Sequence, residues 1–177
     1  MHQAGLDVAD FAHNNFFRPL GIQRNQYYWT LDPDNIPNGA FGLSLRPRDM
    51  GKVGYVYLKG GLWEGTQLIS KSWVEKSTRS QIKMNWGGKI ANDYGYQWYI
   101  QPFGFHSMGY GGQYIFVIPT LDLVAVFTSD LANPELEIPI EIVKKYIIPA
   151  VESTKMIPPN DKSLTRLRSE IEKFNSL

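Results

Sequence analysis

Three groups of residues in this sequence have types and spacings that could do chemistry. They are the string Ser80-Gln81-Ile82-Lys83, the glycine-rich run Gly109-Tyr110-Gly111-Gly112-Gln113, and the lone His106 just before it. A serine becomes an acyl-transfer nucleophile when a lysine one helical turn later takes up its proton. Ser80 and Lys83 have that spacing, but they sit in a polar stretch without the apolar periodicity of a buried central helix, so the match reads as accidental. The glycine run could let a substrate carbonyl lie against bare backbone; the competing reading is a glycine-rich hairpin with a packed tyrosine. His106 could act as acid or base, yet a lone histidine is more often a surface or hydrogen-bonded residue, and that is the expectation here. His2 and His13 read as solvent-facing. Three scattered histidines give no metal-ligand spacing, and the absence of cysteine excludes disulfides, thiolate zinc sites and a cysteine nucleophile. No cofactor is expected.

The chain that must position these groups has 177 residues, 43% hydrophobic and 20% charged, the balance of one soluble globular domain or a large piece of one. Eighteen basic against seventeen acidic residues leave a formal charge of +1, so nothing marks a nucleic-acid or anionic-membrane partner. Small-molecule chemistry is the default. The longest apolar runs, 114–119 and 121–127, are strand-sized and far short of the roughly 20 residues that span a bilayer.

Asp7 can cap a helix with Val8, Phe11, Ala12 and Phe16 at helical spacing, ended by Pro19-Leu20-Gly21. Residues 23–42, rich in Pro, Asn, Asp, Gly and aromatics without a period, read as a long ordered loop held by Tyr27, Tyr28 and Trp29. Pro47 opens a helix with Met50, Val53 and Tyr57 on one face, stopped by Gly60-Gly61, and Asp49 favours its positive end. A short helix starts near Ser70, and 75–92 is a polar excursion over the surface. From Tyr94 the pattern turns to strands at 94–100, 106–112, 113–120 and 123–129, an antiparallel meander. Helices at 139–151 and 162–174 close the chain, separated by a linker at 156–160 that Pro158-Pro159 keeps from being helical. Trp29, Tyr96 and Trp98 could floor a substrate cleft, but aromatics in this number are usually core, and most of them are expected there. The fold class is α+β. The first helix and the aromatic loop have no partner strands before them, so the chain reads as one incomplete domain, helices and loops over 1–92 and strands with closing helices over 93–177. A sheet cut in this way exposes an edge that invites self-association.

The order of these segments resembles the β-lactamase-related serine hydrolases, a family that includes penicillin-binding carboxypeptidases, class C-type β-lactamases, esterases and nylon-oligomer hydrolases. The resemblance runs through 4–8 and Arg18-Pro19-Leu20-Gly21, Gly42-Leu43-Ser44-Leu45-Arg46-Pro47-Arg48-Asp49-Met50, Leu58-Lys59-Gly60-Gly61, Ile69-Ser70-Lys71-Ser72-Trp73-Val74 and Tyr94-Gly95-Tyr96-Gln97-Trp98. It continues to Tyr146-Ile147-Ile148-Pro149-Ala150-Val151. Met108-Gly109-Tyr110-Gly111-Gly112-Gln113-Tyr114-Ile115 is similar to the family's third active-site motif, with Tyr110 in the place of its Lys or His. A neutral hydroxyl there disfavours a substrate carboxylate.

The resemblance implies the C-terminal part of a β-lactamase/transpeptidase-like fold. Tyr110, Gly111 and Gly112 would bind substrate, and the backbone amide of Gln113 would be one oxyanion-hole donor. The family's serine lies upstream in a Ser-x-x-Lys motif, together with a Tyr-x-Asn or Ser-x-Asn loop; no string of the latter form occurs in this sequence. The chain is therefore expected to be inactive alone, with a small-molecule ester or amide as substrate of a longer, extracytoplasmic parent. Two other readings stay open: a non-catalytic binding module of the same fold, and an unrelated α+β binding protein.

Overall fold

The computed structural model describes residues 6–85, 88–133, 135–155 and 157–175. His2 and Met156 of the linker lie outside the described residues. Asp7 caps α1 (Val8–Ala12), its carboxylate accepting the amide of Asp10 at 2.7 Å, and the helix continues through a π-helical turn, His13–Phe17. The stretch expected to be a long ordered loop contains regular elements: a 3-10 turn at Arg24–Gln26 leads into β1 (Tyr27–Trp29), paired antiparallel with β2 (Leu43–Leu45) just beyond it. Strands of three residues are too short to show an alternation. Packing holds them instead, with Tyr27, Trp29 and Leu45 against buried Phe17, Leu20 and Ile22.

Pro47 opens α2 (Pro47–Leu58) as expected, and Met50, Val53 and Tyr57 turn one face to the sheet. Asp49 does more than meet a helix dipole. It is 1% exposed and takes Arg46 Nε at 2.6 Å and Lys52 Nζ at 2.9 Å. Burial would raise its pKa, but the hydrogen bonds from Arg46 and Lys52 outweigh that and hold the carboxyl below its ordinary range. After a small hairpin of β3 (Leu62–Trp63) and β4 (Thr66–Gln67), Ser70 caps α3 (Lys71–Ser77).

The expected meander is present and wider than the sequence indicated, but the strand expected over 94–100 is broken by a turn at 95–98, closed by the Gly95 amide donating to Trp98 O at 2.7 Å, into two short antiparallel strands. β5 (Ile82–Lys83), β6 (Asp93–Tyr94), β7 (Tyr99–Gln101), β8 (Gly104–Gly109), β9 (Gln113–Ile118) and β10 (Leu123–Phe127) form one antiparallel sheet in sequence order. The 75–92 excursion contributes β5 and buries Met84 and Ala91.

Strand β9 lies at the heart of this sheet, with Tyr114 to Ile118 all buried. On one face Ile115 and Val117 pack with Trp98 and Phe105 beneath α2. On the other, Tyr114, Phe116 and Ile118 pack with Ile140 and Val143, from α4 (Ile138–Ile142) and the π-helical turn Val143–Ile147 that follows it. Each such side chain contributes about 2 kcal/mol on removal from water. The expected 139–151 helix is thus α4, this turn and a 3-10 turn at Ile148–Ala150. The last helix, α5 (Asp161–Asn175), leaves its stripe of Leu164, Leu167, Ile171 and Phe174 exposed. No described strand pairs with the outer edge of β10.

The approach of α2 to the sheet depends on Gly54, where an added Cβ would sit 2.7 Å from Val124 Cγ1 and 2.8 Å from Ile115 Cγ2. Both neighbours are stiff β-branched side chains. Gly54→Ala is expected to destabilise the fold by roughly 1–2 kcal/mol, overpacking exceeding the gain in helix propensity. Urea denaturation measures this, and adding Val124→Ala should return part of the loss.

Candidate functional site

The turn that joins β8 to β9 is Tyr110-Gly111-Gly112, closed by the register pair Gly109 and Gln113. Gly111 and Gly112 have φ of +74° and +83°, the left-handed region where an L side chain is strained. Both are buried, whereas Tyr110 is 99% exposed and projects its phenol into solvent. The structure therefore brings the three residues assigned to substrate binding into one turn, with Gln113 at its exit. β7 pairs with β8 only as far as His106, so Ser107–109 carries β9 on one side and no described strand on the other. That leaves an open strand edge leading into the glycine turn.

The turn is held from the far end of β10, a feature absent from the sequence reading. Ser129 Oγ donates toward Gly111 O at 3.0 Å and Gly112 O at 2.7 Å, and the amide of Leu131 donates to Gly111 O at 2.9 Å. The Gln113 side-chain amide donates to the carbonyl of Ser129. A signal for this contact did exist. Extending the pairing of Phe127 with Tyr114 by two residues sets Ser129 opposite Gly112.

Ser80 and Lys83 form no catalytic pair. Ser80 is exposed in the non-helical link between α3 and β5, and Lys83 lies in β5 with its ammonium 3.2 Å from Asp93. No helical turn joins the two, which agrees with the accidental reading.

His106 departs from expectation. It is fully buried, and both ring nitrogens lack a hydrogen-bond partner among the described residues. Its ring stacks on Tyr99 at 5.4 Å and packs against Tyr114 at 5.4 Å and Phe116 at 5.0 Å. The register explains this, because Tyr99, His106 and Phe116 are cross-strand neighbours on the face beneath α4. Burial pushes its pKa down to about 3. His106 is thus a neutral core residue. His13 is half-buried beside Tyr27 rather than fully solvent-facing. Trp98 is in the core and Trp29 packs on the N-terminal cluster, while Tyr96 stays 42% exposed, stacked on Trp73.

A hollow of about 510 Å³ lies along α2, lined by Arg48, Gly51, Lys52, Tyr55, Trp63 and Glu64. It includes no residue of the glycine turn, and it is open to solvent, so it does not define the reacting centre. Among the described residues no group of His, Cys, Asp or Glu could hold a metal ion, and no helix is long and apolar enough to cross a membrane.

The described residues thus form an α+β arrangement, an antiparallel sheet clasped between helices with a glycine turn at the open end of an inner strand. No protein-family model matches the chain, and no curated protein does. Among solved structures, 31 chains match. One of them is named "Putative 6-aminohexanoate-dimer hydrolase from Bacillus anthracis", with a TM-score of 0.62 and 25% sequence identity. The match covers 82% of this chain and 38% of that one, so the chain spans well under half the length of this neighbour. Hydrolases of that kind are β-lactamase-family proteins, and the likeness supports a relation of this chain to that family.

The buried neutral His106 makes stability depend on pH with a definite sign. Below its unfolded pKa of about 6.5 the unfolded chain takes up a proton that the folded chain refuses until pH falls to about 3. The stability present above pH 6.5 is therefore lost as pH falls through that window, by up to about 1.4 kcal/mol per pH unit. Denaturation series at pH 7, 5.5 and 4.5 should show that slope for the native chain and a flatter one for His106→Phe.

Proposed function

We propose that this chain supplies the strand wall of a serine acyl hydrolase of the β-lactamase-related type, acting on a small-molecule ester or amide. The observation that carries the reading is the buried glycine turn at the open edge of β8, in a fold whose solved neighbour is named as a hydrolase. Substrate would lie against the turn of Tyr110, Gly111 and Gly112, of which Tyr110 is the exposed residue. The resemblance assigns one oxyanion donor to the backbone amide of Gln113, whose register partner across the β8–β9 ladder is Gly109. Such a donor is worth about 3 kcal/mol in the transition state, and only when a nucleophile is in place.

In this reading the serine, its lysine and the proton-relaying tyrosine or serine come from sequence outside these 177 residues. The exposed, non-helical Ser80 supports that assignment. Tyr110 faces solvent where the family's third motif carries a cation, so a neutral substrate fits better than a carboxylate. The edge of β10 with which no described strand pairs favours association with another strand, from a longer parent or from a second copy.

Hydrolysis of a chromogenic ester tests the reading. The chain alone and its Ser80→Ala variant are expected to show the same background rate, with turnover only in a longer parent that contains the serine. Turnover by the chain that disappears in Ser80→Ala would sink the proposal, as would a parent that binds the ester and leaves it intact.

A further inference from the structure

Packing explains Gly54 in α2 and leaves Gly51 unexplained. Beyond the helix backbone, a Cβ at Gly51 would meet only Val126 Cγ2, at 3.9 Å, an ordinary contact. Glycine in a helix interior is less stable than alanine, so Gly51 carries a cost that the fold does not require. What its missing side chain leaves is space. Gly51 lines the hollow of about 510 Å³ along α2, a volume in the range of small-molecule sites.

The walls of this hollow are donors at one end and rings at the other. Arg48, Lys52 and Tyr55 recur at i, i+4 and i+7 and share one stripe of α2. Arg48 has no ion pair or hydrogen bond with any described residue. The Lys52 ammonium is pinned 2.9 Å from the buried Asp49, and an ammonium so held keeps further N–H donors. From Arg48 to Tyr55 the helix rises by about 10 Å. There Trp63 meets Tyr55 edge-on, with ring centroids 5.8 Å apart, and its indole N–H has no acceptor among the described residues. Glu64 follows Trp63 at the tip of the β3–β4 hairpin, with φ of +46° and no partner for its carboxylate among the described residues. A glutamate in the left-handed region is strained, so a second residue of the hollow costs the fold without a polar contact in return.

We propose that this hollow is a binding site for an aromatic monocarboxylate. Arg48 and Lys52 would receive the carboxylate, for which the guanidinium fork is shaped, and Tyr55 and Trp63 would take the ring. Gly51 supplies the room between them. Glu64, at the ring end, turns away a ligand with a second negative charge there. The hollow shares no residue with the glycine turn, so the inference stands apart from the hydrolase reading.

Titration of hydrocinnamate into the chain, followed by the indole N–H resonance of Trp63, is the test. A saturable shift with Kd of roughly 1 mM is expected, the strength of a small ligand in an open site. Arg48→Gln should raise Kd on the order of tenfold. Gly51→Leu should abolish the shift, while Gly51→Ala should weaken binding and raise Tm, a pairing that a damaged fold does not produce. Hydrocinnamyl alcohol, which lacks the charge, and hexanoate, which lacks the ring, should each bind on the order of tenfold more weakly than hydrocinnamate. The para-carboxylate of hydrocinnamate should also bind more weakly, and Glu64→Gln should return most of that loss while changing the affinity for hydrocinnamate by less than about twofold. The site is overturned by the lack of a saturable shift, by binding indifferent to Gly51→Leu, or by an alcohol that binds as well as the acid. Equal binding of hexanoate overturns the role of the rings, and a dianion bound alike by the native chain and Glu64→Gln overturns that of Glu64.

Discussion

Five consecutive residues of β9, Tyr114 to Ile118, are buried, and a strand that is apolar on both faces has to be covered twice. That requirement sets the three-layer arrangement. α2 covers Ile115 and Val117, and α4 with its π-helical turn covers Tyr114, Phe116 and Ile118. Neighbouring strands then complete the two clusters. β8 offers Phe105 to one face and His106 to the other, which is how a histidine comes to be sealed among aromatic rings.

The glycine turn inherits its position from the same strand. It sits where β8 leaves the sheet and β9 enters it, so the burial that anchors β9 also fixes the exit of the turn at Gln113. Rigid elements hold sites more precisely than loops do. Here the rigidity comes from two directions, the β8–β9 ladder on one side and the Ser129 contact on the other. Tyr110 alone escapes this restraint, being the residue of the turn that faces water.

Much of the framework was legible because its signals are local. Asp7 before an apolar-periodic run, Pro47 at a helix start, Ser70 before α3 and the alternation of glycine turns with apolar runs after Tyr94 each act over a few residues. Strands β1, β2, β5 and β6 were not legible, since two or three residues carry no period and their pairing is decided by distant partners. The glycine turn between β8 and β9 was legible for the same local reason as the helix caps. His106 was misjudged because its environment is built by Tyr99, Tyr114 and Phe116, from strands whose register the sequence alone does not state. Ser129 was missed for a related reason: it lies two strands' worth of chain beyond the turn it holds.

That separation has a consequence for what can be isolated. Ser129 reaches Gly112 only because β10 folds back on β9 in one register, and a slip of a single residue would bring Thr128 or Asp130 there instead. A synthetic hairpin covering 104–118 would keep every glycine of the turn and lose the group that orients them. The smallest piece able to present the turn in its native geometry is the three-stranded unit from β8 through Leu131, and that unit stays dry only beneath α2 and α4. The geometry of this turn therefore reports on the assembly of all three layers, and a peptide mimic of the motif would not reproduce it.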